Sequence, residues 1–191
     1  MKFQRNNCLL YAITMPHRPG MRPLEEQVRE ALYAGITMLQ LREKYLSEED
    51  FLREALSIRK LTERYHVPLI INDSLYVTIN SGADGIHIGQ SDLPAREVRA
   101  KLGPDKILGV TAKTVAQALE AEKAGADYLG SGAVFPSPTK TDAIPMSRET
   151  LTAICQSVSI PVVAIGGINA SNLYTLAGTG IAGAAIISGI F

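Results

Sequence analysis

Basic and carboxamide side chains gather at the end of an apolar segment early in the chain. Within MLQLREK, residues 38–44, Gln40 and Arg42 lie two positions apart and Lys44 follows after two more. Alternate side chains of an extended strand share one face, so these three groups should converge. Guanidinium, ammonium and carboxamide groups are donors suited to phosphate oxygens. Alternatively, Arg42 and Lys44 are a solvated strand end paired with Glu43, and this segment alone does not decide between the two.

Carboxylates follow the next two apolar segments. Asp73 comes directly after Asn72 at the end of PLIIND, and Asp92 lies with Gln90 in the loop after GIHIG. Carboxylate and carboxamide oxygens are ligands that Mg²⁺ prefers, so this pattern predicts a magnesium site. Asp73 has an equally good alternative role as the cap of a helix over 74–81.

Four further polar residues lie inside a strand, at a strand end or just beyond one. Thr111 ends the segment KILGVT and is a candidate site residue, whereas Thr114 is suited to cap the next helix. The role of Lys113 stays open. His87 lies inside the apolar GIHIG, where a single histidine is more often packed in a core than used as a base, so we assign it no catalysis.

The segment FPSPTKTDAIPM, residues 135–146, is a long polar connection that contains three prolines and places Lys140 between two threonines. We interpret it as a lid whose lysine would supply positive charge to a leaving group. The alternative is a tolerated surface insertion.

Glycine-rich sequence follows the last two apolar segments, as GGINAS and SGIF. Backbone amides of Gly166, Gly167, Ser188 and Gly189 can approach an anion closely because glycine has no side chain. Two anion sites are therefore predicted, one basic and metal-bearing and one lined by glycine. This division suggests two phosphorylated substrates.

These residues need a scaffold that brings strand ends together. Eight apolar segments alternate with amphipathic helical patterns: LLYAIT, MLQLR, PLIIND, GIHIG, KILGVT, YLGSGAV, PVVAIGG and GAAIISG. Such runs are typical of parallel strands covered on both faces. The alternation predicts an α/β (βα)8 TIM barrel, with chemistry at the carboxyl ends of the strands. An open doubly wound sheet is the alternative, but no GxGxxG follows the first strand.

Glycines at 35, 82, 125 and 180 should take the left-handed conformation that ends helices. After the eighth strand the sequence stops at Phe191, so the barrel apparently lacks its final helix. We expect seven complete βα units and one uncovered strand, through which association is possible.

The composition fits one TIM-barrel domain over residues 1–191, since 46% of the residues are apolar. Lysine plus arginine and aspartate plus glutamate number 19 each, without a basic run, so we expect no nucleic-acid partner. No apolar run approaches the roughly 20 residues of a membrane span, and none resembles a signal peptide. Two cysteines without metal-site spacing suit a reducing cytoplasm.

Six motifs in this order resemble the thiamine phosphate synthase family: QLREK, ND, GIHIGQSD, GVTAKT, PTKTD and AIGGI. The resemblance spans nearly the whole chain. It implies a magnesium-dependent transferase that couples hydroxymethylpyrimidine diphosphate with thiazole phosphate, giving thiamine phosphate and pyrophosphate. The sequence departs from the family in two respects. Thr111 stands where many relatives have serine and Lys113 where histidine is common, and the larger departure is the missing final helix.

The resemblance also implies roles for individual residues. The pyrimidine diphosphate would be held by Gln40, Leu41, Arg42, Glu43, Lys44, Asn72, Thr111 and Lys140, and magnesium by Asp73 and Asp92. The thiazole phosphate would be held by Ser137, Pro138, Thr139, Gly167, Ile187 and Ser188. Catalysis would depend on Arg42, Lys44, Thr111 and Lys140. A thiazole tautomerase of the same barrel family, or a non-catalytic phosphate-sensing barrel, would not need the metal carboxylates or the lid lysine.

Overall fold

A closed barrel of eight parallel strands forms the centre of the molecule, a computed structural model that describes residues 3–16, 20–136 and 145–191. The strands are β1 (Leu10–Ile13), β2 (Met38–Leu41), β3 (Leu69–Asn72), β4 (Gly85–Ile88), β5 (Ile107–Thr111), β6 (Tyr128–Gly132), β7 (Val162–Ile165) and β8 (Gly183–Ile186). Each strand pairs with the next in sequence, and β8 closes on β1. The predicted barrel is thus confirmed, and the open doubly wound sheet is excluded.

Six α-helices follow the first six strands within the described residues. They are α1 (Leu24–Tyr33), α2 (Glu48–Arg64), α3 (Leu75–Ser81), α4 (Ala95–Leu102), α5 (Val115–Lys123) and α6 (Arg148–Ser157). Side chains at the amino ends of α2, α3, α5 and α6 accept backbone N–H groups, as predicted for Thr114. In these parts of the chain, no helix is long and apolar enough to cross a membrane.

The connection from β7 to β8 differs from the prediction. It contains one 3₁₀ turn, Leu173–Leu176, instead of a seventh α-helix, so the expectation of seven complete βα units is wrong. Local hydrogen bonds compete with helix formation here, because Asn169 accepts from Ser171 and Asn172 accepts from the Asn169 backbone. Gly180, predicted to adopt a left-handed conformation, has φ +93 and redirects the chain toward β8.

Apolar side chains fill two layers, one inside the barrel and one between strands and helices. The interior layer includes Tyr11, Met38, Ile70 and Tyr128, all almost fully buried. Residues at alternate positions of the same strands point outward and pack against the helices. Interior positions near the carboxyl ends carry polar side chains instead, and these form the site described below.

The outer surface near β1 and β8 carries the end of the described chain. Ile190 and Phe191 pack against the apolar cluster between β1–β3 and helices α1 and α2. Leu9, just before β1, is 55% exposed. Association through this face stays a prediction.

Replacing Ser131 with alanine should raise the free energy of unfolding by about 1 kcal/mol. Ser131 is fully buried in β6, and its hydroxyl has no hydrogen-bond partner in the part of the chain that the structure describes. A buried, unpaired hydroxyl is destabilising, and alanine removes it with little loss of packing. Denaturant unfolding of Ser131→Ala, beside the exposed control Ser91→Ala, measures the gain. A destabilised Ser131→Ala protein would show that the hydroxyl is satisfied.

Candidate active site

A cavity of about 180 Å³ opens among the strand ends at the carboxyl face of the barrel. Five residues predicted for substrate binding line it: Gln40, Arg42, Asn72, Thr111 and Ile187. Tyr11, His87, Lys113 and Gly166 also line it. Residues from most of the barrel strands therefore meet in one pocket, as the TIM-barrel prediction required.

Strand β2 divides its predicted site residues between two sides. Gln40 is 3% exposed and points into the barrel, and Arg42 lines the cavity while its backbone N–H donates to Thr14 Oγ1 at 2.9 Å. The side chain of Leu41 is fully buried between the sheet and the helices, so only its backbone could contact a ligand. Glu43 is also buried and does not line the cavity.

Asp73 is the centre of a charged cluster at the rim. Its Oδ2 accepts from Lys44 Nζ at 2.6 Å and from Asn72 Nδ2 at 2.5 Å. Its backbone has φ +63, which turns the chain after β3. The helix cap is instead Ser74, whose hydroxyl accepts from the Val77 N–H, so the alternative role of Asp73 as the cap is wrong.

Asp92 lies beside Asp73, although 18 residues lie between them in the sequence. Its Oδ2 accepts from the Gly89 N–H at 2.6 Å. Burial raises the pKa of Asp92, and the neighbouring Asp73 carboxylate raises it further, while the Gly89 hydrogen bond and Lys44 oppose the shift. A carboxylate whose charge is disfavoured beside a second carboxylate marks a place where a cation is stabilising.

A chain of hydrogen bonds forms the floor of the cavity. Gln40 Nε2 donates to Tyr11 Oη at 2.6 Å, and Tyr11 Oη lies 2.7 Å from Tyr128 Oη. His87 Nδ1 lies 3.0 Å from Tyr128 Oη, and His87 Nε2 lies 3.0 Å from Thr111 Oγ1. Sequence reasoning missed the two tyrosines. A signal for them was present in the sequence. Each tyrosine lies at an inward-facing position of a strand whose other residues are mostly aliphatic or glycine.

His87 is packed in protein, as the sequence predicted, yet it also lines the cavity. Burial lowers the pKa of His87 to about 4, with a smaller opposing effect from Asp73. The imidazole is therefore neutral at pH 7, with one nitrogen donating and the other accepting.

Gly109 makes room for this floor. His87, Gly109 and Tyr128 lie in register on the neighbouring strands β4, β5 and β6. A Cβ atom at Gly109 would lie 2.2 Å from Tyr128 Cζ and 2.5 Å from His87 Nδ1. Only glycine at this position leaves space for the imidazole and the phenol to meet.

Glycine-rich turns form the other side of the cavity. Gly166 and Gly167 have φ +100 and +63, and Ile187 lines the pocket from the end of β8. Ser188 is exposed just beyond it. The predicted residues Ser137, Pro138, Thr139 and Lys140 lie outside the described residues.

Behind β2, Glu54 of α2 adjoins the buried Glu43. Burial raises the pKa of Glu54 to about 7, and the charge of Glu43 adds to the shift. Glu54 Oε2 is buried without a hydrogen-bond partner among the described residues. The folded protein therefore holds the Glu54 proton more tightly than an unfolded chain does.

Glu54→Gln should stabilise the protein in a pH-dependent manner. Below the ordinary pKa of 4.5 both states carry the proton, and above about 7 the folded state bears a charge it disfavours. The gain should grow as the pH rises between these values and reach about 1 kcal/mol at pH 8, a figure discounted for partial solvation of the side chain. Unfolding at pH 4 and pH 8 tests this, with the exposed Glu120→Gln as control; equal gains at both pH values would contradict it.

The sequence matches the family described as thiamine monophosphate synthase over residues 10–190. The chain belongs to this family. A thiamine-phosphate synthase of Ruminiclostridium cellulolyticum is 52% identical over 95% of this chain and 86% of the relative. Thiamine-phosphate synthase 2 of Streptococcus pneumoniae is 49% identical over 96% of this chain and 87% of the relative.

Solved structures agree with this family membership. The thiamine phosphate pyrophosphorylase of Pyrococcus furiosus superposes with a TM-score of 0.87 at 40% identity, covering 96% of this chain and 87% of that chain. The N-acetylmannosamine-6-phosphate 2-epimerase of Clostridium perfringens has a TM-score of 0.69 at 14% identity, covering 98% of this chain and 91% of that chain. This second likeness extends to the fold alone.

Proposed function

We propose that this member of the thiamine monophosphate synthase family couples hydroxymethylpyrimidine diphosphate with thiazole phosphate, giving thiamine phosphate and pyrophosphate. The observation that carries the proposal is a cavity with a polar floor next to the charged cluster of Lys44, Asp73 and Asp92, to which it is joined by the hydrogen bond from Asn72 to Asp73. Relatives about half identical in sequence are named for the same synthase activity.

The cavity would hold the pyrimidine ring of the first substrate, and the charged cluster of Lys44, Asp73 and Asp92 would bind the diphosphate of the same molecule. The bond between the methylene carbon and the diphosphate oxygen breaks, the electron pair leaves with pyrophosphate, and the thiazole nitrogen supplies the pair for the new bond. An electron-rich aminopyrimidine stabilises the cation that forms, so no protein nucleophile or general base is needed. The protein's task is to orient the two substrates and to stabilise the departing charge.

Arg42 and Lys44 are suited to that second task. Arg42 lines the cavity, and Lys44 reaches the rim through its ion pair with Asp73. Fixed positive charges near the developing pyrophosphate stabilise the transition state more than the ground state. Lys140 is proposed to add a third charge from the lid, and Thr111 a hydroxyl donor.

Magnesium is part of the proposal, held by Asp73 and Asp92. These carboxylates are neighbours, and the charge of Asp73 contributes to the raised pKa of Asp92, which suits a divalent cation between them. The described residues contain no group of three or more His, Cys, Asp or Glu side chains arranged for a metal. Mg²⁺ is typically bound by one or two carboxylates, and water and substrate phosphate occupy its remaining coordination positions. When bound, the ion would stabilise charge on the leaving group.

The thiazole phosphate is assigned to the glycine-lined side of the cavity. Gly167, Ile187 and Ser188 would hold it, together with Ser137, Pro138 and Thr139. Barrels often bind phosphate at the loops after the last two strands, where backbone N–H groups face the ligand. The proposal includes a cytoplasmic location, which the two free cysteines support.

The test mixes the purified protein with both substrates and Mg²⁺ and follows thiamine phosphate and pyrophosphate. Thiamine phosphate and pyrophosphate should form in equal amounts, and a chelator of Mg²⁺ should stop the reaction. Absence of product from a folded protein would overturn the proposal. Conversion between isomers of the thiazole phosphate, without pyrophosphate release, would indicate the tautomerase instead.

A further inference from the structure

The floor of the cavity is a continuous row of five polar groups that crosses the barrel. It runs from Gln40 through Tyr11, Tyr128 and His87 to Thr111, with every link between 2.6 and 3.0 Å. Tyr11 and Tyr128 are 2% and 0% exposed, so their hydroxyls depend on protein partners. The phenol rings meet edge to face, with centroids 5.7 Å apart, which fixes where both hydroxyls lie.

Each phenol has one proton, so the row has a direction. Gln40 Nε2 donates to Tyr11, which leaves the Tyr11 proton to be donated to Tyr128. Tyr128 in turn donates to His87 Nδ1. A neutral imidazole that accepts at Nδ1 carries its proton on Nε2, and this proton is donated to Thr111 Oγ1.

The opposite direction leaves a proton without a partner. If His87 Nδ1 donated to Tyr128 and Tyr128 to Tyr11, Tyr11 would accept two hydrogen bonds, from Tyr128 and Gln40. Its own proton would then have no acceptor among the described residues, and Tyr11 is too deeply buried for solvent to supply one, whereas Thr111 is only partly buried. An unsatisfied buried donor is destabilising, so the first direction is favoured.

We propose that Tyr11 and Tyr128 are positioning residues that hold His87 in its Nε2–H tautomer, so that the Thr111 hydroxyl donates its proton into the cavity. Thr111 Oγ1 already accepts from His87, so its proton is free for a ligand. Phosphate oxygens are acceptors only and need such a donor. With the other tautomer, Thr111 would donate to His87 and present a lone pair to the anion. This inference rests on the proposed function for the identity of the ligand, a diphosphate.

The tautomer is measured directly, without turnover, by ¹⁵N NMR of histidine side chains in the ligand-free protein. The chain has three histidines, so the His87 signals are assigned by their absence from His87→Gln. The proposal expects a neutral ring with the proton on Nε2. A dominant Nδ1–H tautomer, or a doubly protonated ring at pH 7, would overturn it. In Tyr128→Phe the signals should shift toward a mixture of tautomers.

Kinetics then separates positioning from general damage. Tyr128→Phe should raise KM for the pyrimidine diphosphate about threefold or more, since apparent affinity scales with the fraction of competent protein, and leave KM for the thiazole phosphate unchanged. The matched control is Tyr33→Phe, because Tyr33 is 86% exposed on α1. Equal rises in both KM values, or no change in either, would contradict the proposal.

A double variant tests whether Tyr128 acts through Thr111. Thr111→Val removes the hydroxyl, so adding Tyr128→Phe should worsen KM by less than about twofold. Independent, multiplying effects would refute the relay. The two proposals can fail separately. An inactive wild-type protein with the Nε2–H tautomer would refute the proposed synthase activity but leave the tautomer assignment intact. An active enzyme with the Nδ1–H tautomer would refute the tautomer assignment but leave the synthase activity intact.

Discussion

Replacing Asp73 with asparagine is expected to lower kcat/KM at least about tenfold, or ~1.4 kcal/mol of transition-state stabilisation. Asparagine tolerates the left-handed backbone of this position, φ +63, and keeps the shape of the side chain. The change therefore removes the negative charge beside Asp92 with little effect on the fold. Because the proposed divalent cation would depend on that charge, the Mg²⁺ concentration needed for half-maximal activity should rise.

Steady-state kinetics at several Mg²⁺ concentrations measures both effects. The control is Asp105→Asn, an exposed aspartate in the turn before β5, at the opposite end of the barrel. If Asp73→Asn kept the parent kcat/KM and the parent Mg²⁺ dependence, the carboxylate pair would not be the metal site.

Gly109→Ala should have the largest effect, lowering kcat/KM by about a hundredfold and the free energy of unfolding by about 1–3 kcal/mol. The new methyl group would overlap Tyr128 Cζ at 2.2 Å and His87 Nδ1 at 2.5 Å. These buried rings belong to β4 and β6, the strands on either side of β5, and they cannot separate without moving the barrel wall. The hydrogen bond between His87 and Tyr128 should break, and Thr111 should lose its orientation.

Gly130→Ala is the graded comparison, since a Cβ there meets His87 alone, at 3.0 Å from Cε1 and 3.5 Å from Nε2. Its losses of activity and stability should be clearly smaller than those of Gly109→Ala. Thermal unfolding and activity measured on both variants give the ranking. Similar losses in the two variants would show that the space at Gly109 is not specific to the His87–Tyr128 contact.

The repeating pattern of the sequence was sufficient to predict the strands and most of the helices. Near-continuous apolar runs that alternate with amphipathic helices are typical of a parallel sheet covered on both faces, and all eight are strands. Capping signals such as Thr114 identified helix starts correctly because the cap is a contact between residues close in sequence. The prediction failed where several short polar side chains compete with the backbone, in the segment around Asn169 and Asn172.

For the site, strand-end position was a good guide. Gln40, Arg42, Asn72 and Thr111 line one cavity because parallel strands all end at the same face. The same reasoning did not distinguish Leu41, whose side chain points to the helices, from the neighbouring residues that line the cavity. That Ser74 and not Asp73 caps the following helix was decided only by the hydrogen bond from the Val77 N–H to the Ser74 hydroxyl.

The amino-acid sequence by itself determined the order of strands and helices, the face of the barrel that carries polar groups, and the family to which the chain belongs. Periodicity, caps and motifs are local properties, so they can be recognised without coordinates. Only the tertiary structure decided that Asp92 lies beside Asp73 and that Gly109 leaves room for His87 to reach Tyr128. These contacts join residues on different strands, and their distances are set by barrel closure and register, which no single segment encodes.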